Sequence, residues 1–376
     1  SGGLVRHAPR PHQPGAPMMA WSRRRFVGGL TAAAAMSGLS RFPRSLGAAG
    51  PAPGGGRDGF TFDLHAHPGA LFFRGTPAYG GDEGVVSRVD DMLASGMTSA
   101  FFGLVADRSV LEISATGVRP ARRFEPGEAW ADYRRQTDEL HQIMSLLDAE
   151  LVTDLAAADA ALSRGRVAAF VAVEGGDCLE GRPDRLEQLF DDHVRSLQLV
   201  HYAQNELGDL QTEPALYGGL SPAGRDVVRV MGELGMVIDV AHAAFTTTRD
   251  VAGLAGGPII LSHSQLVDPK NPHPRHIDAE HARLVADTGG VIGMWPSGFG
   301  NASLDDFVAN TFRMIDVVGV DHVGLGTDMD GNYRPVIADY REYGEWIGEL
   351  EERGLAAEET EKLAGRNARR VLAAVL

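Results

Sequence analysis

Phe60-Thr61-Phe62-Asp63-Leu64-His65-Ala66-His67 joins a short β-rich apolar run to two histidines one residue apart. It is the first of eight such runs. The others are Thr98–Leu104, Val167–Val173, Ser196–Val200, Met236–Ala241, Pro258–Leu261, Gly290–Trp295 and His322–Gly326. Segments of helical pattern lie between several of them, including Ala129–Leu151, Arg185–Arg195 and Gly224–Leu234. Strand alternating with helix implies a parallel sheet, and eight repeats in about 270 residues predict an α/β fold, a (β/α)8 barrel of the TIM type. The competing fold is an open doubly wound sheet, but no GxGxxG follows the first run. GxSxG and GxxxxGK[ST] are absent too, which removes serine-hydrolase and P-loop chemistry.

A barrel of this kind carries its chemistry at the C-terminal ends of its strands. Those ends give His65 and His67 after the first run, Glu174 after the third and His201 after the fourth. His242 follows the fifth run, His263 the sixth and Asp328 the eighth. One histidine in such a place is more often a hydrogen-bonded core residue, and one acid is more often a helix cap or an ion-pair partner. Together they say more, because unrelated core histidines have no reason to share one rim. His7, His12, His141, His193, His273, His281 and His322 fall in tails, helices, loops or a strand start and are given no role.

In a strand, residues i and i+2 point the same way, so His65 and His67 can reach one ion. Imidazoles suit Zn2+, Mn2+, Fe2+ or Co2+ better than Ca2+ or Mg2+. A second ion needs a bridging anion. The only lysines are Lys270 and Lys362, neither at a strand end, which leaves no carbamylated lysine for that task. The bridge is therefore expected to be Glu174, in Val173-Glu174-Gly175-Gly176-Asp177, with His242 and His263 completing the second ion. Asp328 is expected to orient the nucleophile and shuttle its proton. Asp328-Met329-Asp330-Gly331-Asn332 is no calcium loop, since position six is Tyr333 and position twelve is Asp339.

The 376 residues are 44% hydrophobic and 23% charged, the balance of an ordinary globular chain. Formal net charge is −15, yet residues 1–50 hold seven arginines and no acid, so the remainder carries −15 − 7 = −22. Such an acidic body repels phosphate backbones and argues against nucleic-acid binding. No apolar run approaches the ~20 residues of a membrane span. Ser22-Arg23-Arg24-Arg25-Phe26-Val27, then the modestly apolar Gly28–Met36 and small residues to Gly50, resembles a twin-arginine export signal. The expected organisation is a tail and signal over 1–49, a linker over 50–58 and one catalytic barrel over 59–376. The expected location is the periplasm or another exported site, reached through the twin-arginine translocation machinery. The lone Cys178 excludes internal disulfides and cysteine-rich metal modules and reads best as a buried thiol.

From about Phe60 onward the chain resembles the membrane (renal) dipeptidase family of zinc peptidases. The motifs that carry the resemblance are Glu174-Gly175-Gly176, Gly219-Leu220-Ser221-Pro222-Ala223-Gly224, Leu234-Gly235-Met236-Val237-Ile238-Asp239-Val240-Ala241-His242 and Ser262-His263-Ser264. Gly289-Gly290-Val291-Ile292, Gly324-Leu325-Gly326-Thr327-Asp328-Met329-Asp330-Gly331 and Gly365-Arg366-Asn367 follow in order. The resemblance implies a barrel with two divalent ions, Zn2+ first, that hydrolyses dipeptides, including those with a C-terminal D-residue, by a hydroxide bridging the ions. By position it implies Glu174 as bridging ligand, His242 and His263 on the second metal and Asp328 as catalytic aspartate. His201 would bind substrate and stabilise the oxyanion, and Arg275 would receive the substrate carboxylate. One residue departs from the family. Its usual His-x-Asp is His65-Ala66-His67 here, which raises the charge of the first metal site by one unit. That exchange keeps open an amidohydrolase-type enzyme acting on a modified amide, a lactam or a peptide-derived secondary metabolite. A lesser alternative is a non-catalytic ligand-binding homologue, against which the retention of Glu174, His242, His263 and Asp328 together argues. Barrel helices commonly pair, so a homodimer is compatible with the fold.

Overall fold

The computed structural model describes residues 59–114 and 117–376. The export signal and linker read at residues 1–58 lie outside the described residues. Each of the eight apolar runs forms a strand: β1 (Phe62–Ala66), β2 (Ser99–Val105), β3 (Val167–Glu174), β4 (Val194–Gln198), β5 (Val237–Asp239), β6 (Ile260–Ser264), β7 (Val291–Met294) and β8 (Val323–Leu325). Every strand pairs in parallel with the next. β8 returns to β1 with Asp63 opposite Leu325, which closes the barrel. Strands buried on both faces need apolar residues throughout rather than alternately, and β2 and β3 are buried along their whole length.

Local sequence sets the helices between strands. Ser221 accepts the Gly224 amide at 3.0 Å to open the helix Pro222–Leu234, Pro222 supplies its first turn, and Gly235 closes it in the left-handed conformation at φ 69°. Two expectations need correction. The helical segment expected over 129–151 is a helix only over Glu128–Ile143, followed by one 3-10 turn, Met144–Leu146. Leu147 is extended and buried, so Ala149–Leu151 instead becomes a short strand paired with the first residues of β3. The fourth strand begins at Val194, two residues earlier than expected, and ends before His201. A hairpin outside the barrel, Leu111–Ser114 with Gly117–Pro120, was not anticipated.

The two ends of the barrel are built differently. At the N-terminal end Phe60, Phe62, Phe101 and Phe170 share a cluster with Ala168, Val237, Ile260 and Val291. Ala368, Val371 and Leu372 of the C-terminal helix Asn367–Val375 join the same cluster. Phe62 meets Phe101 and Phe170 at ring-centroid distances of 5.1 and 5.7 Å. This end is packed and apolar. The other end holds the buried polar residues His65, His67, Glu174, His201, His242, His263 and Asp328. Among the described residues no helix is long and apolar enough to cross a membrane.

Candidate active site

Glu174, the last residue of β3, is the centre of the site. Its Oε1 lies 3.3 Å from Nε2 of His65, His201 and His242 and 3.7 Å from Nε2 of His263. Its Oε2 lies 3.3 Å from Nε2 of His67, and that nitrogen is 3.4 Å from Oδ1 of Asp328. Five imidazoles from four strands or the loops that follow them therefore face one carboxylate. The structure brings together every site residue read from the sequence. His65 and His263 lie within β1 and β6, however, rather than beyond their ends.

The donor set fits divalent ions. The Nε2 atoms of His65 and His67 are 3.1 Å apart, as are those of His242 and His263. Ligands at ~2.0–2.1 Å from a tetrahedral ion stand a little over 3 Å from one another, so both pairs have the spacing of neighbours on one ion. The ring protons are placed to match. Nδ1 of His67 donates to the Gly103 carbonyl at 2.8 Å, which leaves Nε2 as the inward-facing donor atom. His65, His67 and Asp328 form one compact set, and Glu174 joins His65 and His263 in a second and His201 and His242 in a third.

Glycines make this approach possible. A side chain at Gly103 would lie 2.8 Å from the His67 ring, and one at Gly331 would lie 2.5 Å from Asp328 Oδ1. Asp328 itself sits at φ 52°, with Asp330 at φ 65° in the same turn. Asp330 bonds the Gly69 amide and the Arg88 guanidinium, tying the turn after β8 to the loop after β1.

Burial and charge set the protonation of these groups. Burial disfavours the charged form of His67, but its hydrogen bonds to the Asp328 and Glu174 carboxylates outweigh it and push the imidazole up to about 10. A divalent ion held by His67 would take the place of that proton. Burial, the largest cause, holds His242 and His263 well below the ordinary histidine range, helped by Arg275 at the first and His65 at the second. Glu174 is fully buried, yet His201 and His65 hold it well below the usual carboxylate range. His201 is raised, because Asp107 and Glu174 overcome its desolvation.

Sequence reading missed Asp107. Its Oδ1 takes the His201 Nδ1 proton at 2.6 Å while Oδ2 accepts the amides of Tyr202 and Ala203 at 3.0 and 2.8 Å. The signal was available, because Asp107 follows β2 as Glu174 ends β3. Arg275 lies in the site as expected, 1% exposed, with Nη1 donating to Gln211 and its Nε and Nη2 without an acceptor. Trp295 lies beside it. His273, given no role from the sequence, stacks on Phe299 at 4.1 Å, and Phe299 stacks on Tyr333 at 4.6 Å, forming an aromatic wall next to Arg275. Cys178 is fully buried and coordinates nothing in this cluster.

Residues 92–376 match the family model described as membrane dipeptidase, peptidase family M19. The chain belongs to the membrane dipeptidase family. Other relatives agree. An uncharacterized dipeptidase of Schizosaccharomyces pombe is 33% identical over 218 residues, 55% of this chain and 53% of that protein. The dipeptidase aclJ of Aspergillus oryzae is 30% identical over 266 residues, 66% of this chain and 63% of that protein. This membrane dipeptidase family member thus spans somewhat more than half the length of the curated relatives it matches. Among solved structures, a metallopeptidase of Rhodobacter sphaeroides, liganded with a phosphinate mimic of L-Ala-D-Ala, superposes with TM-score 0.71 at 19% identity, over 84% of this chain and 99% of that one. The probable dipeptidase PvdM of Pseudomonas aeruginosa superposes with TM-score 0.70 at 19% identity, over 84% and 95% respectively. Both share the barrel of this family member.

Proposed function

We propose that this protein is an exported metallo-dipeptidase that binds two divalent ions, Zn2+ first, and hydrolyses short peptides. The observation that carries the proposal is the position of Glu174, with both oxygens within 3.3 Å of imidazole nitrogens from opposite sides of the barrel mouth. His65, His67 and Asp328 would hold one ion, His242 and His263 the other, and Glu174 both. When bound, the ions supply Lewis acidity at the scissile carbonyl and lower the pKa of water.

The chain's own residues supply the rest. Asp328, held in a strained turn against His67, is placed to take a proton from the attacking water and pass it to the leaving amine. His201, raised by Asp107, presents Nε2 toward the site and stabilises negative charge developing on the carbonyl oxygen. Arg275, with two N–H groups lacking acceptors, binds the substrate carboxylate. A site that fixes both the carbonyl and the nearby carboxylate selects dipeptides over proteins.

The test is turnover of L,L- and L,D-dipeptides by zinc-reconstituted protein, with a chelated control. Chelator-sensitive hydrolysis is the expected result. Glu174→Ala should lose at least one ion and nearly all turnover, and a fully active variant retaining both ions would overturn the assignment. Protein shown to hold two ions but inert toward every dipeptide would favour the modified-amide reading suggested by His67. Export is tested separately: Arg24→Lys with Arg25→Lys should leave the protein in the cytoplasm, and unchanged export would refute the twin-arginine signal.

A further inference from the structure

Trp295 follows β7 and is 3% exposed, yet its indole N–H has no acceptor. An indole can only donate, so an unpaired buried one is costly and calls for an explanation. The other fully buried tryptophan of the described residues, Trp346, donates to Thr311 Oγ1 at 3.3 Å, as a purely structural tryptophan should. Trp295 differs in its neighbours. Its ring lies 5.7 Å from the His263 ring, and the Arg275 guanidinium carbon lies 5.5 Å from its centroid. Arg275 is itself buried with Nε and Nη2 unpaired. Three donors on two adjacent side chains thus lack acceptors, and among the described residues no carboxylate is hydrogen-bonded to either side chain. The missing partner is an anion with several lone pairs, which is what a carboxylate provides.

We propose that Trp295 is a substrate-binding residue whose indole N–H donates to the substrate's terminal carboxylate beside Arg275. This rests on the dipeptidase reading and sharpens it. Trp295 stands between a metal-ligand histidine and the arginine, where the C-terminal residue of a dipeptide must lie. Its N–H makes the site discriminate a free carboxylate from a carboxamide or a continuing chain, because the wrong group leaves buried donors unpaired.

The probes are the reduced-amide isostere of Ala-D-Ala, which cannot be hydrolysed, and its C-terminal carboxamide, each titrated calorimetrically into metal-loaded protein. Wild type should bind the acid more tightly than the carboxamide. W295F, which keeps a ring but removes the donor, should narrow that preference about tenfold. An unchanged preference in W295F, or no preference in wild type, would overturn the assignment. A second measurement needs no variant. The indole proton resonance of Trp295 should move downfield when the acid binds and stay in place with the carboxamide, and a resonance unmoved by the acid refutes the proposal. Dipeptide turnover by the same preparation separates the two readings. A wild-type acid preference that W295F narrows, with no dipeptide cleaved, keeps Trp295 in its role and removes the dipeptidase.

Discussion

Asp107 shows how much one unlooked-for carboxylate does. It takes the Nδ1 proton of His201 on one oxygen and two backbone amides on the other, so the imidazole is fixed in both tautomer and orientation. Asp107→Asn should keep the amide contacts on one side but lose the charge, lowering kcat about 10–100-fold. Metal content measured by plasma emission should not change, and a variant that drops its ions instead would show that Asp107 holds the metal cluster rather than His201. The five histidines, Glu174 and Asp328 were readable because strand-end position and residue type coincide seven times along one rim. Asp107 obeys the same rule but stands alone after β2, with no second residue to draw attention to it. Trp295 was ambiguous and His273 was given no role for a different reason: an aromatic ring reads identically as core or as wall until its neighbours are known.

Short connecting elements, more than the strands, decide whether the ligands meet. Gly103 within β2 lets the His67 ring lie against the backbone, with a carbonyl contact of 2.8 Å. Gly103→Ala would place a methyl 2.8 Å from that ring and push His67 off its donor position. The expected result is loss of one equivalent of zinc per chain with the barrel's circular dichroism intact, whereas full zinc retention would show that His67 is not a ligand. The turn after β8 acts in the same manner, since Asp328 at φ 52° depends on Gly331 and on Asp330 pairing with Arg88. Element boundaries were the weakest part of the sequence reading. Apolar periodicity runs smoothly from Ala129 to Leu151, but Leu147 is needed in the core and turns extended, so tertiary packing overrides the helical pattern.

For the whole molecule, buried neutral histidines outside the metal cluster link stability to acid. His281 is pushed down to about 4, chiefly by burial, with Arg275 assisting and Asp278 opposing, while its Nε2 pairs with Thr248 Oγ1 at 2.8 Å. His276 is pushed down to about 3 by burial and by His273. Both are depressed, so the unfolded chain binds more protons below its ordinary value of ~6.5, and stability present above that pH falls as pH drops toward 4. His67 acts in the opposite sense in metal-free protein, adding stability below ~6.5 that disappears as pH rises toward its raised value. Chemical denaturation of chelated protein at pH 7, 5.5 and 4.5 should therefore show falling stability. His281→Gln should flatten the decline by about one proton's worth, ~1.4 kcal/mol per pH unit, and an unchanged slope would exclude His281 as a source. The same long-range architecture has a consequence for assembly. One set of candidate ligand atoms is drawn from positions as far apart as His65 and Asp328, and the strand contact that brings this set together is the closing pair Asp63 with Leu325. The set of His65, His67 and Asp328 is therefore incomplete until the first and last strands meet, whereas Glu174, His201 and His242 come together from β3, β4 and β5 alone. On the proposed reading of an exported metalloenzyme, the ion of that set would be chosen where the barrel closes rather than where the protein works.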